Sequence, residues 1–357
     1  MALAGCASTD NKTTGDIDNS DLYQGSREVA YKSKTQNADA SELNSEAQAA
    51  LQSGNTDQAI FYLVQSLAKD PNQPEVYRRI GQIHLQLNHT ALAQVAFERA
   101  LLKAPDDLES LMGLGQIHLQ QKHRDQAKSY FLQALAVDQQ RFKPLLQPRS
   151  HMTNDASPPP LAADTPQPED SVTEAHTDNQ TPLPAKLLLR VDNRSPYPVY
   201  NNLGVLADLE SNFAEAQKYY RLAIKIRPNT ASAYNNLGYS HYLAGEWPEA
   251  DIYYHQAIEQ DPEFTQAWHN MGLLYVRMEK YQLAVDTFSR FMEDPEAYNT
   301  VGYLCMVSGK YKVAERYLKK AIDASPVYFA KARENLKQNR QYLENALAAK
   351  QSETTTN

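Results

Sequence analysis

The chain has only two cysteines in 357 residues, Cys6 and Cys305, so no disulfide framework can hold it together. It has no apolar run near the ~18–20 residues that cross a bilayer, so no stretch reads as a transmembrane helix. It has no excess of positive charge. Lys and Arg number 35 against 43 Asp and Glu, a formal charge of −8, which argues against nucleic acid as an electrostatic partner. The motifs of catalysis are missing too: there is no His-Glu-x-x-His, no phosphate-binding Walker loop and no Gly-x-Ser-x-Gly. Gly113-Leu114-Gly115 opens like a dinucleotide loop, but His118 stands where a further glycine is needed and no strand precedes it. These absences predict a protein without catalytic residues, cofactor, metal or small-molecule substrate. Phenylalanine is also scarce, 9 residues, whereas tyrosine is plentiful at 22, with most of it at or beyond Tyr197.

What is present is a period of 34 residues. Gly81 and Gly115 are one period apart, as are Gly204, Gly238 and Gly272. Ala93, Ala127, Ala216, Ala250, Ala284 and Ala314 follow the unit glycines at a fixed offset, and Phe97, Phe131, Tyr220, Tyr254 and Phe288 come one turn later. Pro71, Pro105, Pro228, Pro262 and Pro326 close most units. Tyr77, Leu111, Tyr200, Tyr234, Trp268 and Tyr298, with Ile80, Leu114, Leu203, Leu237, Met271 and Val301, make an apolar stripe at helical spacing. Small Gly and Ala let two helices approach, and the closing Pro stops the second helix.

This pattern resembles the tetratricopeptide repeat, a helix–turn–helix unit. The resemblance implies an all-α superhelical solenoid stabilised by stacking neighbours. Seven units are expected: 40–73, 74–107, 108–141, 197–230, 231–264, 265–294 and 295–328. The first is degenerate, with Glu46-Ala47 where the apolar-Gly pair belongs, as suits a cap. The sixth is about one helical turn short and predicts a shortened second helix and a local break in regularity. The domain plan is a disordered tether over 1–38, a first array over 39–141, a linker over 142–196, a second array over 197–328, a capping helix over 329–349 and a disordered tail over 350–357. Phe329, Ala332, Leu336, Leu343 and Leu347 form the covering face of the cap.

The linker holds more than half of the prolines, and between Ser150 and Ala185 it has six acids and no Lys or Arg. That composition predicts a disordered, semi-extended segment. Leu187-Leu188-Leu189-Arg190-Val191 interrupts it and is expected to dock on the start of the second array. Two arrangements stay open, two separate arrays or one continuous solenoid with the linker looped out, and the first is preferred.

Leu3-Ala4-Gly5-Cys6 resembles the lipobox of bacterial lipoproteins, whose cysteine carries the lipid. Five residues before Cys6 are too few for an export signal, so this reading expects a start further upstream. Ala7 after the cysteine implies, by the same resemblance, the outer membrane, periplasmic face; without a lipid on Cys6 the chain would be cytoplasmic. The polar stretch over 7–38 suits a tether.

In tetratricopeptide solenoids the first helices line an inner surface that binds peptides or partner helices. Asn202, Asn236 and Asn270 recur at the period and would stack as a ladder. An Asn amide offers both donor and acceptor to a peptide backbone, although Asn is common at this position in such repeats. Val205, Tyr239, Leu273 and Tyr303 come three residues later, and Asp208, Tyr242, Val276 and Met306 one turn beyond. With Arg277 they predict a Tyr-rich apolar groove in the second array. The first array has Arg79 and Gly113 at the ladder positions. A dicarboxylate clamp is incomplete, with only Arg78, Arg79 and Arg277. His84, His118 and His241 share one repeat position and His89 and His123 another; a five-residue helical offset would separate His84 from His89. Cys305 reads as a packed core thiol. Lipobox plus repeats such as Asn235-Asn236-Leu237-Gly238-Tyr239 and Glu296-Ala297-Tyr298-Asn299-Thr300-Val301-Gly302-Tyr303-Leu304 resemble TadD-like assembly proteins of tight-adherence pili. This implies a protein-binding scaffold with pilus or secretin components as partners, touching the membrane only through its lipid. The alternatives are another envelope lipoprotein (a type IV pilus pilotin or a regulator of peptidoglycan enzymes) or a cytoplasmic adaptor.

Overall fold

The computed structural model describes residues 19–25, 37–142 and 189–355. Cys6 and most of the linker lie outside them. The described residues form one 3-10 turn, Ser20–Leu22, and fifteen α-helices. They are α1 Ala40–Gln52, α2 Thr56–Lys69, α3 Pro74–Gln86, α4 Thr90–Lys103, α5 Leu108–Gln120, α6 Arg124–Gln140, α7 Tyr197–Leu209, α8 Phe213–Ile226, α9 Ala231–Ala244, α10 Trp247–Gln260, α11 Thr265–Arg277, α12 Tyr281–Phe288, α13 Asp294–Val307, α14 Tyr311–Ala324 and α15 Ala330–Thr355. Consecutive pairs make seven hairpins, and α15 covers the last.

The hairpin joint has a specific packing. A Cβ placed on Gly272 would lie 2.6 Å from the Phe288 ring, on Gly204 2.6 Å from Tyr220, and on Gly115 2.7 Å from Phe131. The unit glycine is therefore the seat for the aromatic of the second helix, and the stacked rings are the buried spine of the molecule. Ile80, Leu114, Leu203, Leu237, Met271 and Val301 are all buried beside it. Tyr234, Trp268 and Tyr298 are only half-buried, unlike Tyr77, Leu111 and Tyr200.

Helix starts are set locally. Asp39 accepts from the Glu42 amide at 2.8 Å while Glu42 reaches back to the Asp39 amide, a capping box. Asn55, Asp107 and Asn212 cap α2, α5 and α8 in the simpler way. Each hairpin turn passes through one left-handed residue, and these recur at the period in Gly54, Asn88 and Lys122 and again in Ser211, Gly245 and Glu279, with Gly309 following early after the short sixth unit. Lys122 holds φ 63° with a side chain that disfavours it. Lys122→Gly is expected to raise stability by about 0.5–1 kcal/mol. A urea midpoint that falls instead would refute this.

The third and fourth units pack directly. Leu111, Phe131, Ala134 and Leu135 share one core cluster with Val199, Tyr200, Leu203 and Ile226, and Leu189 and Val191 pack against it. Tyr200 Oη donates to Asp138 at 2.7 Å, Gln139 Nε2 donates to the Arg190 carbonyl at 2.8 Å, and Arg141 pairs with both Asp138 and Asp192. The described residues thus stack as one continuous solenoid, not as the two arrays preferred from sequence. The reason is that the open apolar end of α6 and that of α7 are complementary, and stacking buries both.

Three further expectations change. Residues 19–25, assigned to a disordered tether, are docked on the first two units, with Leu22 fully buried. The capping helix runs on to Thr355, through most of the stretch assigned to a tail. Ala332 and Leu336 of its covering face are buried, but Leu347 is half exposed, because the helix outruns α14. The sixth unit has the shortened second helix expected of it: α12 has 8 residues against 14 in α14. Phe291 fills the space past its end, edge-on to Phe288 at 6.0 Å.

Candidate functional site

First helices pack on their counterparts in adjoining units (α3 on α5, α7 on α9, α9 on α11, α11 on α13, α13 on α15). Like helices approach on the inside of a curve, so these helices line the hollow of the superhelix. On α7, α9, α11 and α13, two positions one turn apart point to the same side. They are Val205 and Leu209, Tyr239 and Leu243, Leu273 and Arg277, Tyr303 and Val307. Tyr239 is 40% exposed, Tyr303 45%, Leu209 48% and Val307 57%, so a row of largely apolar side chains, broken by Arg277, faces solvent. The same two positions in the second and third units are Gln82, Gln86, Gln116 and Gln120, all exposed. The hollow is polar over its first part and apolar over its second.

Of the residues singled out from sequence, Tyr239 and Tyr242 stack with centroids 5.9 Å apart, Leu273 is half-buried, and Arg277 is exposed. Val276 and Met306 are buried, so they belong to the core and not to the groove surface. Asp208 faces inward: it accepts from Ser240 Oγ at 2.6 Å and from Tyr220 Oη at 2.9 Å, and burial raises its carboxyl above the ordinary range despite both bonds. Leu209, Leu243 and Val307 escaped the sequence reading, although their period was visible.

The asparagines pair with each other. Asn236 Nδ2 donates to Asn201 Oδ1, Asn270 Nδ2 to Asn235 Oδ1 and Asn335 Nδ2 to Asn299 Oδ1, each at 2.9 Å. Each pair joins neighbouring first helices. One amide hydrogen of Asn236 and of Asn270 is thereby committed within the solenoid, and Asn270 is buried. Asn202 and Asn236 stay half open beside the apolar stripe. No such pair links α11 to α13, where His269 and Thr300 hold the two positions and Thr300 Oγ1 turns to Met292 Sδ at 3.8 Å.

Arg78, weighed for a carboxylate clamp, is paired with Asp107 and Glu109. His84 and His89 lie closer than helical geometry allows, with ring centroids 5.6 Å apart, because α3 ends at Gln86 and the turn folds His89 back as the cap of α4. His118 and His123 repeat this at 5.9 Å. Among the described residues no group of three or more His, Cys, Asp or Glu is placed to hold a metal ion. No described helix is long and apolar enough to cross a membrane.

Cys305 is fully buried, and burial pushes its thiol up to about 12. A thiolate is the reactive form. Cys305 is therefore expected to resist maleimide at neutral pH and to label fully in guanidinium. Labelling of the Cys305 peptide in the native protein would contradict the packing described here.

The tetratricopeptide repeat models match residues 50–109, 108–141, 197–230, 231–264, 265–293 and 295–328, together more than half of the chain. No curated protein matches the sequence. Among solved structures, a tetratricopeptide repeat protein from Parabacteroides merdae is 13% identical, with a TM-score of 0.51, over 84% of this chain and 98% of that one. The pilF protein of Pseudomonas aeruginosa is 16% identical, with a TM-score of 0.44, over 84% and 97%. PilW, a type IV pilus biogenesis factor, is 16% identical, with a TM-score of 0.44, over 83% and 98%. At these identities the likeness is one of fold.

Proposed function

The chain belongs to the tetratricopeptide repeat family, a protein-interaction scaffold, and from that premise we propose that it grips a protein segment in the hollow of its last four units. The observation that carries this is the switch from Gln82, Gln86, Gln116 and Gln120 to Val205, Leu209, Tyr239, Leu243, Tyr303 and Val307 at the same repeat positions. Exposed tyrosine and leucine supply contact area, while Asn202, Asn236 and Arg277 supply polar anchors at its edge. The segment it fits is an extended peptide or an amphipathic helix with apolar residues at regular intervals.

We further propose that the scaffold works in the bacterial envelope, lipid-anchored through Cys6, and assists assembly of a pilus or secretion complex. Support comes from the lipobox-like Leu3-Ala4-Gly5-Cys6 followed by a polar stretch, together with the repeat pattern. Palmitate labelling that is lost in Cys6→Ser would uphold the anchor; an unlabelled wild-type chain would end it.

Crosslinking in the native cell identifies the partner. Asn236→Ala with Tyr239→Ala is then expected to weaken capture of that partner at least about tenfold, a typical loss for a central anchor. Helical circular dichroism should not change. Undiminished capture would remove the groove from the reading.

A further inference from the structure

Three residues after each unit alanine, the second helix carries a side chain that lies over the neighbouring first helix. In the third, fourth, fifth and seventh units it is Tyr130, Tyr219, Tyr253 and Tyr317. Tyr130 stacks on His118 at 5.4 Å and Tyr253 on His241 at 5.1 Å. In the second unit the position is Ala96, and His84 has no tyrosine over it from its own unit. The small Ala96 leaves room beside His84, in a cleft between α2 and α4; the sixth unit, with Thr287 at this position, lacks the ring as well.

Residues 19–25 fill that cleft. Leu22 is fully buried with Phe61, Ile80, Ala96 and Ala100. His84 Nε2 lies 2.9 Å from the Leu22 carbonyl oxygen, a donor to main chain. Arg99 grips Asp21 with both terminal nitrogens at 2.7 Å and reaches Asn19 Oδ1 at 3.1 Å. Tyr23 meets Phe61 edge-on at 5.5 Å, and its hydroxyl donates to Asp57 at 3.2 Å. One apolar anchor, one two-pronged cation, one main-chain contact and one aromatic contact converge on three consecutive residues. That is how a peptide site is built, and a single 3-10 turn has no hydrophobic core of its own to hold it there.

We propose that the α2–α4 cleft is a second peptide site, distinct from the hollow, that takes a short segment folded in a 3-10 turn with consecutive acidic, leucine and tyrosine residues, and that Asp21-Leu22-Tyr23 is its resident occupant in cis. The occupant is tethered and so holds the cleft at high effective concentration. A free peptide of the same chemistry competes only when the resident is weakened.

The test uses the full chain and a labelled synthetic peptide of residues 17–27, followed by fluorescence anisotropy. Leu22→Asp removes the resident anchor and should bind the peptide saturably; the wild-type chain should bind it at least about tenfold more weakly. Asp21→Arg, altered at a half-exposed side chain and so safe for the fold, should also open the cleft. Adding Ala96→Tyr to Leu22→Asp restores the ring and should abolish binding, with helical content retained. Arg99→Asp, combined with Leu22→Asp, should lose the normal peptide and recover one carrying Arg in place of Asp21. Peptide that binds neither opened variant, or binding that survives Ala96→Tyr, overturns the proposal. Neither result bears on the hollow, whose residues are untouched.

Discussion

Tyr220→Ala is expected to destabilise the fourth unit by about 3–5 kcal/mol, the range for removing a large buried ring. Tyr220 is almost wholly buried, its ring lies against Gly204, and its hydroxyl donates to Asp208. Deleting it empties the hairpin joint and leaves the half-buried Asp208 carboxyl with Ser240 as its remaining hydrogen-bond donor. Tyr220→Phe separates the two effects, because it keeps the ring and removes only the donor, and about 1–2 kcal/mol is expected. Hydrogen exchange should show the loss first in α7 and α8, since repeat arrays open locally. If those amides keep their protection in Tyr220→Ala, the ring-on-glycine account of the joint is wrong.

The second large effect lies at the seam between the third and fourth units. The Asp138 side chain is fully buried and is met by Tyr200 and by Arg141. Arg141 also holds Asp192, whose carboxyl it keeps below the ordinary range, and Ser195. Arg141→Ala would strand the Asp138 carboxylate. Stranding a buried charge costs about 3–5 kcal/mol, but Arg141 is more than a third exposed and water screens part of the pair, so about 2–3 kcal/mol is expected. The sharper readout is cooperativity. Calorimetry on Arg141→Ala should show two transitions where the wild type shows one or a closely merged pair, and Asp138→Asn in the same chain should draw them together again. A single unshifted transition would mean that the apolar contacts of the seam suffice without the ions.

How far the sequence revealed this molecule depended on whether a feature recurs in residue type or only in geometry. Hairpins, their boundaries and the buried spine were legible, because Gly, Ala and an aromatic repeat at fixed offsets. The left-handed turn was not, because Asn88, Lys122, Ser211 and Glu279 share a conformation and no chemistry. The asparagine period was visible, but its use was not: pairing requires knowing that Asn201 and Asn235 sit opposite the next unit's residue. The closeness of His84 to His89 was missed by treating them as one helix. Residues 19–25 looked like tether because their composition is polar. Leu22 is held by residues far along the chain, among them Ala96 and His84, that only the fold brings to it. Tyr239 and Tyr303 are exposed, as a groove there would require, while Val276 and Met306 are buried, one position away from the exposed Arg277 and Val307. Cys6 lies outside the described residues.

The step between α11 and α13 has no asparagine pair and coincides with the short α12, so it is tied by the exposed Lys310–Glu279 ion pair, and its outer wall is six residues shorter than α14. The units on either side are tied and full-length. A coil with one soft winding does not stretch evenly: strain gathers there. A segment held along Tyr239 and Tyr303, as proposed above, would cross that winding and so bear on how the last units are set against the rest.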